Sequence, residues 1–271
     1  MRRLGNQPIG IMDSGVGGLT VASEVMRQLP HETICYVGDA ARCPYGPRHS
    51  EEVRHFTWQM AHFLMDQNSK LLIIACNTAT AVALDDLRAK LPIPVIGVVH
   101  PGARAAINMS RTRRIGVIGT EGTVKSGAYT RALQSIHRGV QVSPLACPKF
   151  VPLVESNAYE GEIARQIVQE TLQPLVTIEL DTLILGCTHY PLLEPLIQRT
   201  MGDHVSIISS GEETARETSL VLYDRGIVAN TDNHKGHTFY TTGSIELFET
   251  ILDNWLPPHN RMIRPVSLDR Y

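Results

Sequence analysis

Short apolar runs that stop abruptly at small polar residues recur along this chain. Pro8–Met12 closes in Asp13-Ser14-Gly15-Val16-Gly17-Gly18, Thr33–Val37 in Gly38-Asp39, and Leu71–Ala75 in Cys76-Asn77-Thr78. Pro94–Val99 runs into His100-Pro101-Gly102, which is expected to break the chain. Such unbroken apolar runs suit strands covered on both faces. The segments between them have helical spacing instead. Leu19, Val21, Val25 and Leu29 share one face, as do Val53, Phe56, Met60 and Phe63 or Leu64, and Asn77–Lys90 is helix-like. Ser50 reads as an N-cap, with Glu51 and Glu52 in the first turn behind it. Strands alternating with helices of this length predict a parallel α/β sheet.

The pattern then restarts. Arg114–Gly119 is a strand ending in Thr120-Glu121-Gly122-Thr123, and one helix follows it through Ile136. Val140–Cys147 is a strand, and the proline-rich Pro148–Asn157 is expected as a loop. Gly161–Val176 reads as a helix, Thr182–Leu185 as a strand ending at Cys187, Leu192–Thr200 as a short helix and Val205–Ile208 as a strand. Laid over one another, the halves bring Ser14 onto Thr120 and Cys76 onto Cys187. The tail offers a helix at Glu212–Asp224, a strand around Thr238–Thr241 and a helix at Ile245–Trp255. It is short for an independent domain. The expected organisation is two similar α/β domains with mainly parallel central sheets, residues 1–98 plus 207–271 forming one and 99–206 the other. The site should lie in the cleft between them.

Composition narrows the function. With 43% hydrophobic and 19% charged residues the 271-residue chain has the profile of a soluble globular protein. A net charge of −2 gives no electrostatic footprint for nucleic acid or an anionic membrane. No apolar run reaches the ~18 residues of a membrane span, and the start of the chain lacks the features of a signal peptide. A cytoplasmic protein is expected. The five cysteines, Cys35, Cys43, Cys76, Cys147 and Cys187, are then read as reduced thiols. No metal site is expected, because Cys187-Thr188-His189 does not have the spacing of a structural zinc motif.

In parallel α/β sheets, ligands sit beyond the carboxyl ends of the strands. Asp13, Ser14, Asp39, Tyr45, Cys76, Asn77, Thr78, Thr120, Cys187, Thr188 and His189 all fall at or just past such ends. Gly15-Val16-Gly17 supplies two glycines of a dinucleotide fingerprint but has Thr20 where the third would stand, a weak match that leaves an anion-holding turn and a plain helix start both open. Each of Cys76 and Cys187 precedes a helix-like segment, and a helix N-terminus is expected to lower a thiol pKa below about 8.5. Such thiols serve as nucleophile, redox centre or acid/base. Two on opposite faces of one carbon suit the removal of a proton from one side and its return on the other. Two buried core cysteines are the plain alternative. Cys35 and Cys147 read as strand packing, and Cys43 lies in the turn-rich loop after Asp39.

Taken together, DSGVGGLTV (Asp13–Val21), PYG (Pro44–Gly46), CNTATA (Cys76–Ala81), ACPKFVPLVE (Ala146–Glu155) and GCTHYPLL (Gly186–Leu193) resemble the glutamate racemases of the cofactor-independent aspartate/glutamate racemase family. The resemblance implies interconversion of L- and D-glutamate without a cofactor, supplying D-glutamate for peptidoglycan. It implies Cys76 and Cys187 as the acid/base thiols, Cys187 acting on L-glutamate and Cys76 on D-glutamate. Asp13 would assist Cys76, while Glu155 and His189 would assist Cys187. Asp13, Ser14, Tyr45, Gly46, Asn77, Thr78, Thr120, Thr188 and His189 would hold the substrate. A homodimer is usual in the family. Some members answer to a peptidoglycan precursor through an N-terminal extension, and with the first strand opening at Pro8 no such response is expected here. An aspartate or hydantoin racemase is the nearest alternative. A non-catalytic anion- or amino-acid-binding module is the alternative from another class.

Overall fold

The computed structural model describes residues 4–230, 236–257 and 260–271. In chain order the strands and helices are β1 (Ile9–Asp13), α1 (Leu19–Gln28), β2 (Ile34–Gly38), α2 (Ser50–Asp66), β3 (Leu71–Ile74), α3 (Asn77–Lys90), β4 (Val95–Gly97) and α4 (Val99–Met109). Next come β5 (Arg114–Gly119), α5 (Glu121–Ser126), α6 (Ala128–Ile136), β6 (Gln141–Ala146), α7 (Phe150–Glu155), α8 (Gly161–Val176) and β7 (Thr182–Gly186). The chain closes with α9 (Glu194–Met201), β8 (Ser206–Ser209), α10 (Ser210–Asp224), β9 (His237–Thr241), α11 (Ile245–Trp255) and β10 (Arg261–Pro265).

Two wholly parallel sheets result, ordered β10-β9-β2-β1-β3-β4 and β6-β5-β7-β8. The run β2-β1-β3-β4 in the first has the same order as β6-β5-β7-β8 in the second. In each sheet the chain builds outward in both directions from one strand, β1 or β5. That strand is the topological switch point, where parallel sheets leave a crevice beyond their carboxyl ends. The tail's β9 and β10 extend the first sheet past β2.

The central strands are apolar because helices cover both their faces. All five residues of β1, β2 and β7 are buried. Leu19, Val21 and Val25 of α1 pack with Ala215 and Leu222 of α10 and Phe248 and Leu252 of α11 on one face of the first sheet. Val53, Met60 and Leu64 of α2 and Ala83 and Leu87 of α3 cover the other. In the second sheet, α7, α8 and α9 lie on one face and α4 and α6 on the other. Edge strand β6 is only partly buried and contains Pro144, whose missing N–H an edge strand tolerates.

Several expectations need correction. His100-Pro101-Gly102 does not break the chain. It lies in the first turn of α4, where a proline costs no intrahelical hydrogen bond. Pro148–Asn157 is not all loop, since α7 forms within it with Pro152 likewise in the first turn. The expected single helix through Ile136 is two, divided at Gly127, whose φ of +64° is left-handed. Ser50 is the first helical residue and not the cap. His49 holds the cap position, with no side-chain cap bond. Strand β10 escaped sequence reading because RMIRP is a short, largely exposed edge segment with no unbroken apolar run.

Candidate active site

The ends of β1 and β3 deliver Asp13, Ser14 and Cys76, and those of β5 and β7 deliver Thr120, Cys187, Thr188 and His189. They face one another across a closed cavity of about 20 Å³. It is lined by Ser14, Cys43, Pro44, Tyr45, Gly46, Cys76, Asn77, Thr78, Thr120, Val151, Cys187, Thr188 and His189. That is room for about one water molecule. Larger surface hollows exist, among them one of about 510 Å³ lined by Arg88 and Asp224, but among the described residues no thiol lines it.

The seam between the two halves closes at short range. Thr78 Oγ1 lies 2.9 Å from Thr120 Oγ1 and 3.2 Å from Thr123 Oγ1, and the Gly122 N–H donates to Gly46 O at 2.9 Å. Thr20 Oγ1 donates to Thr188 O at 3.0 Å. At Gly17 a Cβ would stand 2.5 Å from His189 Nδ1 and 2.6 Å from Thr188 Oγ1. The glycine turn therefore leaves room for the opposite half of the site, and the weak dinucleotide match has this cause.

The two thiols have different surroundings. Cys76 caps α3 and accepts the Ala79 N–H at 3.5 Å. Burial pushes its thiol up to about 12, and the Asp13 carboxylate adds to this; the Ala79 N–H and the Ser14 hydroxyl oppose them without prevailing. The helix N-terminus was expected to lower this pKa, and desolvation outweighs it. Asp13 is fully buried, accepts the Gly15 N–H at 2.9 Å and faces Thr188 Oγ1 at 3.5 Å. Burial raises its pKa, against the pull of His189.

Cys187 does not cap an α-helix; a 3-10 turn, Tyr190–Leu193, follows it. Its Sγ lies 3.7 Å from His189 Nδ1, and His189 Nε2 lies 3.2 Å from Glu155 Oε1. Burial alone would lower the His189 pKa, but hydrogen bonds to Cys187 and Glu155 raise it to about 10. Burial would raise Glu155, and the His189 hydrogen bond holds it below the usual carboxylate range. One side of the cavity thus holds a protonated thiol, the other a thiol facing an imidazolium at neutral pH.

Against this geometry, the family model described as Asp/Glu/Hydantoin racemase matches residues 9–218. A glutamate racemase of Bacillus cereus is 56% identical over 98% of this chain and 98% of its own. The crystal structure of a glutamate racemase isoform from Bacillus anthracis superposes with a TM-score of 0.94 at 50% identity, covering 97% of this chain and 98% of that one. A Francisella tularensis glutamate racemase, solved with D-glutamate, gives a TM-score of 0.91 at 34% identity over 98% and 99% of the two chains. The chain belongs to the Asp/Glu/hydantoin racemase family. It is therefore a racemase, an isomerase.

One contact of this racemase escaped sequence reading. Tyr129, on α6, donates its hydroxyl to Asn77 Oδ1 at 2.8 Å. That fixes the amide, and among the described residues its buried Nδ2 finds no partner. A buried donor left open at a cavity wall fits an acceptor on a bound ligand. Asp39, expected along the cleft, instead lies behind it. It accepts from Tyr45 Oη at 2.5 Å, Arg42 Nε at 2.7 Å and Thr242 Oγ1 at 3.0 Å. The Tyr45 hydroxyl is committed there. Cys35 and Cys147 are buried in the packing. No described helix is long and apolar enough to cross a membrane. Among the described residues no group of three His, Cys, Asp or Glu side chains could hold a metal ion.

Proposed function

We propose that this racemase interconverts L- and D-glutamate by two-base proton transfer at Cα, with Cys187 and Cys76 as the bases. The Cys187 thiolate takes the α-proton of L-glutamate. The electron pair left at Cα spreads into the α-carboxylate, and the Cys76 thiol delivers its proton to the opposite face. D-Glutamate reverses the roles. His189, supported by Glu155, serves Cys187, while Asp13 and Ser14 serve Cys76. The observation that carries this reading is a pair of thiols lining one cavity from its two halves, Cys76 at the cap of α3 and Cys187 3.7 Å from His189 Nδ1.

Ser14, Tyr45, Gly46, Asn77, Thr78, Thr120, Thr188 and His189 hold the substrate in this reading. Among the described residues no Lys or Arg lines the cavity. The substrate's carboxylates then rest on hydroxyls, the open Asn77 amide and backbone N–H groups. Glutamate as the substrate is supported by the long, high-identity match to glutamate racemases. By the same reading the enzyme needs no cofactor and works in the cytoplasm as a homodimer, and its D-glutamate goes to peptidoglycan. Its units are residues 1–98 with 207–271, and 99–206. The two separate sheets support this division, although β8 lies across the second crossing.

Single Cys76→Ser and Cys187→Ser variants test the reading, with L-glutamate, D-glutamate and L-aspartate each followed by chirality. Each variant should lose nearly all inversion of glutamate. Near wild-type rates in either would refute the two-thiol mechanism. Preferred turnover of aspartate by the unmodified enzyme would move the substrate to the shorter diacid.

A further inference from the structure

The Glu155 oxygen that meets His189 has a second partner from the other half of the site. Cys43 Sγ donates to Glu155 Oε1 at 3.1 Å, the same atom that His189 Nε2 reaches at 3.2 Å. Cys43 belongs to the loop after β2 and Glu155 ends α7, so the contact crosses the cleft. The sulfur fills the space left beside Gly15, where a Cβ would come to 3.0 Å from it. The loop is clamped behind, because Arg42 and Tyr45, on either side of Cys43, both donate to Asp39 Oδ2. Arg48 Nε also donates back to Arg42 O at 2.9 Å.

We infer that Cys43 is a positioning residue: its S–H holds the Glu155 carboxylate, and through it the Glu155–His189–Cys187 chain, in the closed site. The inference rests on the proposed two-thiol racemisation and adds to it a third thiol that transfers no proton to or from Cα. A donor on Oε1 stabilises the Glu155 anion, which in turn keeps the proton on His189. The burial and Glu155 contact that raise the Cys43 pKa keep this thiol protonated, as a donor must be. Without that donor Glu155 becomes the stronger base, so it takes up a proton at higher pH.

The test uses Cys43→Ala and Cys43→Ser in the full chain, each alone and combined with Glu155→Gln. Thermal melts establish that the variants fold. Cys43→Ala should lower kcat/KM about fivefold, the scale of one modest hydrogen bond, and move the acid limb of its pH profile upward. Cys43→Ser, which keeps a donor, should restore both. In the Glu155→Gln background Cys43→Ala should cost nothing more, because its effect passes through the carboxylate. An unchanged rate and acid limb in Cys43→Ala would overturn the inference. So would an equal loss in both backgrounds, which would make Cys43 packing only. Should Cys187→Ser keep its activity, the two-thiol reading itself fails and this inference with it. Inactivity of Cys187→Ser beside an unaffected Cys43→Ala removes the inference alone.

Discussion

The hydroxyl of Tyr129 reaches across the seam between the two sheets to Asn77 Oδ1 at 2.8 Å, leaving the Asn77 Nδ2 as an open donor at the cavity wall. Removing that hydroxyl with Tyr129→Phe frees the amide to rotate and costs one hydrogen bond of about 1 kcal/mol. KM for glutamate should rise about fivefold while kcat changes little, because the contact serves binding and not proton transfer. Steady-state kinetics in both directions check this, and an unchanged KM would separate Asn77 from substrate binding.

At Gly17 no side chain fits while the site is closed. Alanine there places its Cβ 2.5 Å from His189 Nδ1 and forces the two halves apart. Displacements of about 1 Å at reacting groups cost up to about a hundredfold in rate. Gly17→Ala should fall by that order in kcat/KM yet melt near the wild-type temperature, since the clash lies between the halves and not within either core. Normal activity would mean that the closed geometry is not the working one.

Protonation of His189 links the site to stability. Its proton leaves near 6.5 in the unfolded chain and near about 10 in the folded one. The folded state binds that proton more tightly, so the stabilisation is complete below about 6.5 and is lost as pH rises through about 10. The stability difference between wild type and His189→Asn should therefore shrink between about pH 7 and pH 10. Urea unfolding across that range reads it out. A constant difference would place His189 as neutral in the fold.

Far from the site, Lys70 and Glu32 form an ion pair at 2.5 Å with side chains only 1% and 3% exposed. Lys70 Nζ also donates to Ile227 O at 2.8 Å, and Glu32 Oε1 accepts the Ala229 N–H at 2.8 Å. The pair thus ties the segment after α10 to the first sheet. Lys70→Ala strands a buried carboxylate and should cost about 3–5 kcal/mol, whereas Lys70→Met with Glu32→Leu should cost less. Denaturant titration distinguishes them, and the remaining folded protein should keep its turnover.

What the sequence revealed and what it hid follow from the range of the interactions. Strand ends such as Asp13-Ser14 and Cys76-Asn77 were legible because an apolar run stopping at polar residues is a local signal. Helices α4 and α7 were obscured by Pro101 and Pro152, which break a helix interior but sit comfortably in a first turn. The raised Cys76 pKa is not legible in sequence, because the helix end is visible there and the surrounding burial is not. Tyr129 and Cys43 were opaque for a related reason: their partners, Asn77 and Glu155, lie on other elements far along the chain, and only the fold brings them into contact.

Proton transfer at Cα is tested most directly by incubating the purified enzyme with L-glutamate in deuterium oxide, without added cofactor, and following deuterium at Cα together with chirality. Two thiols on opposite faces predict that D-glutamate carries solvent deuterium at Cα as it first forms. Inversion that leaves the original hydrogen in place, or no exchange and no inversion, would contradict the two-thiol mechanism.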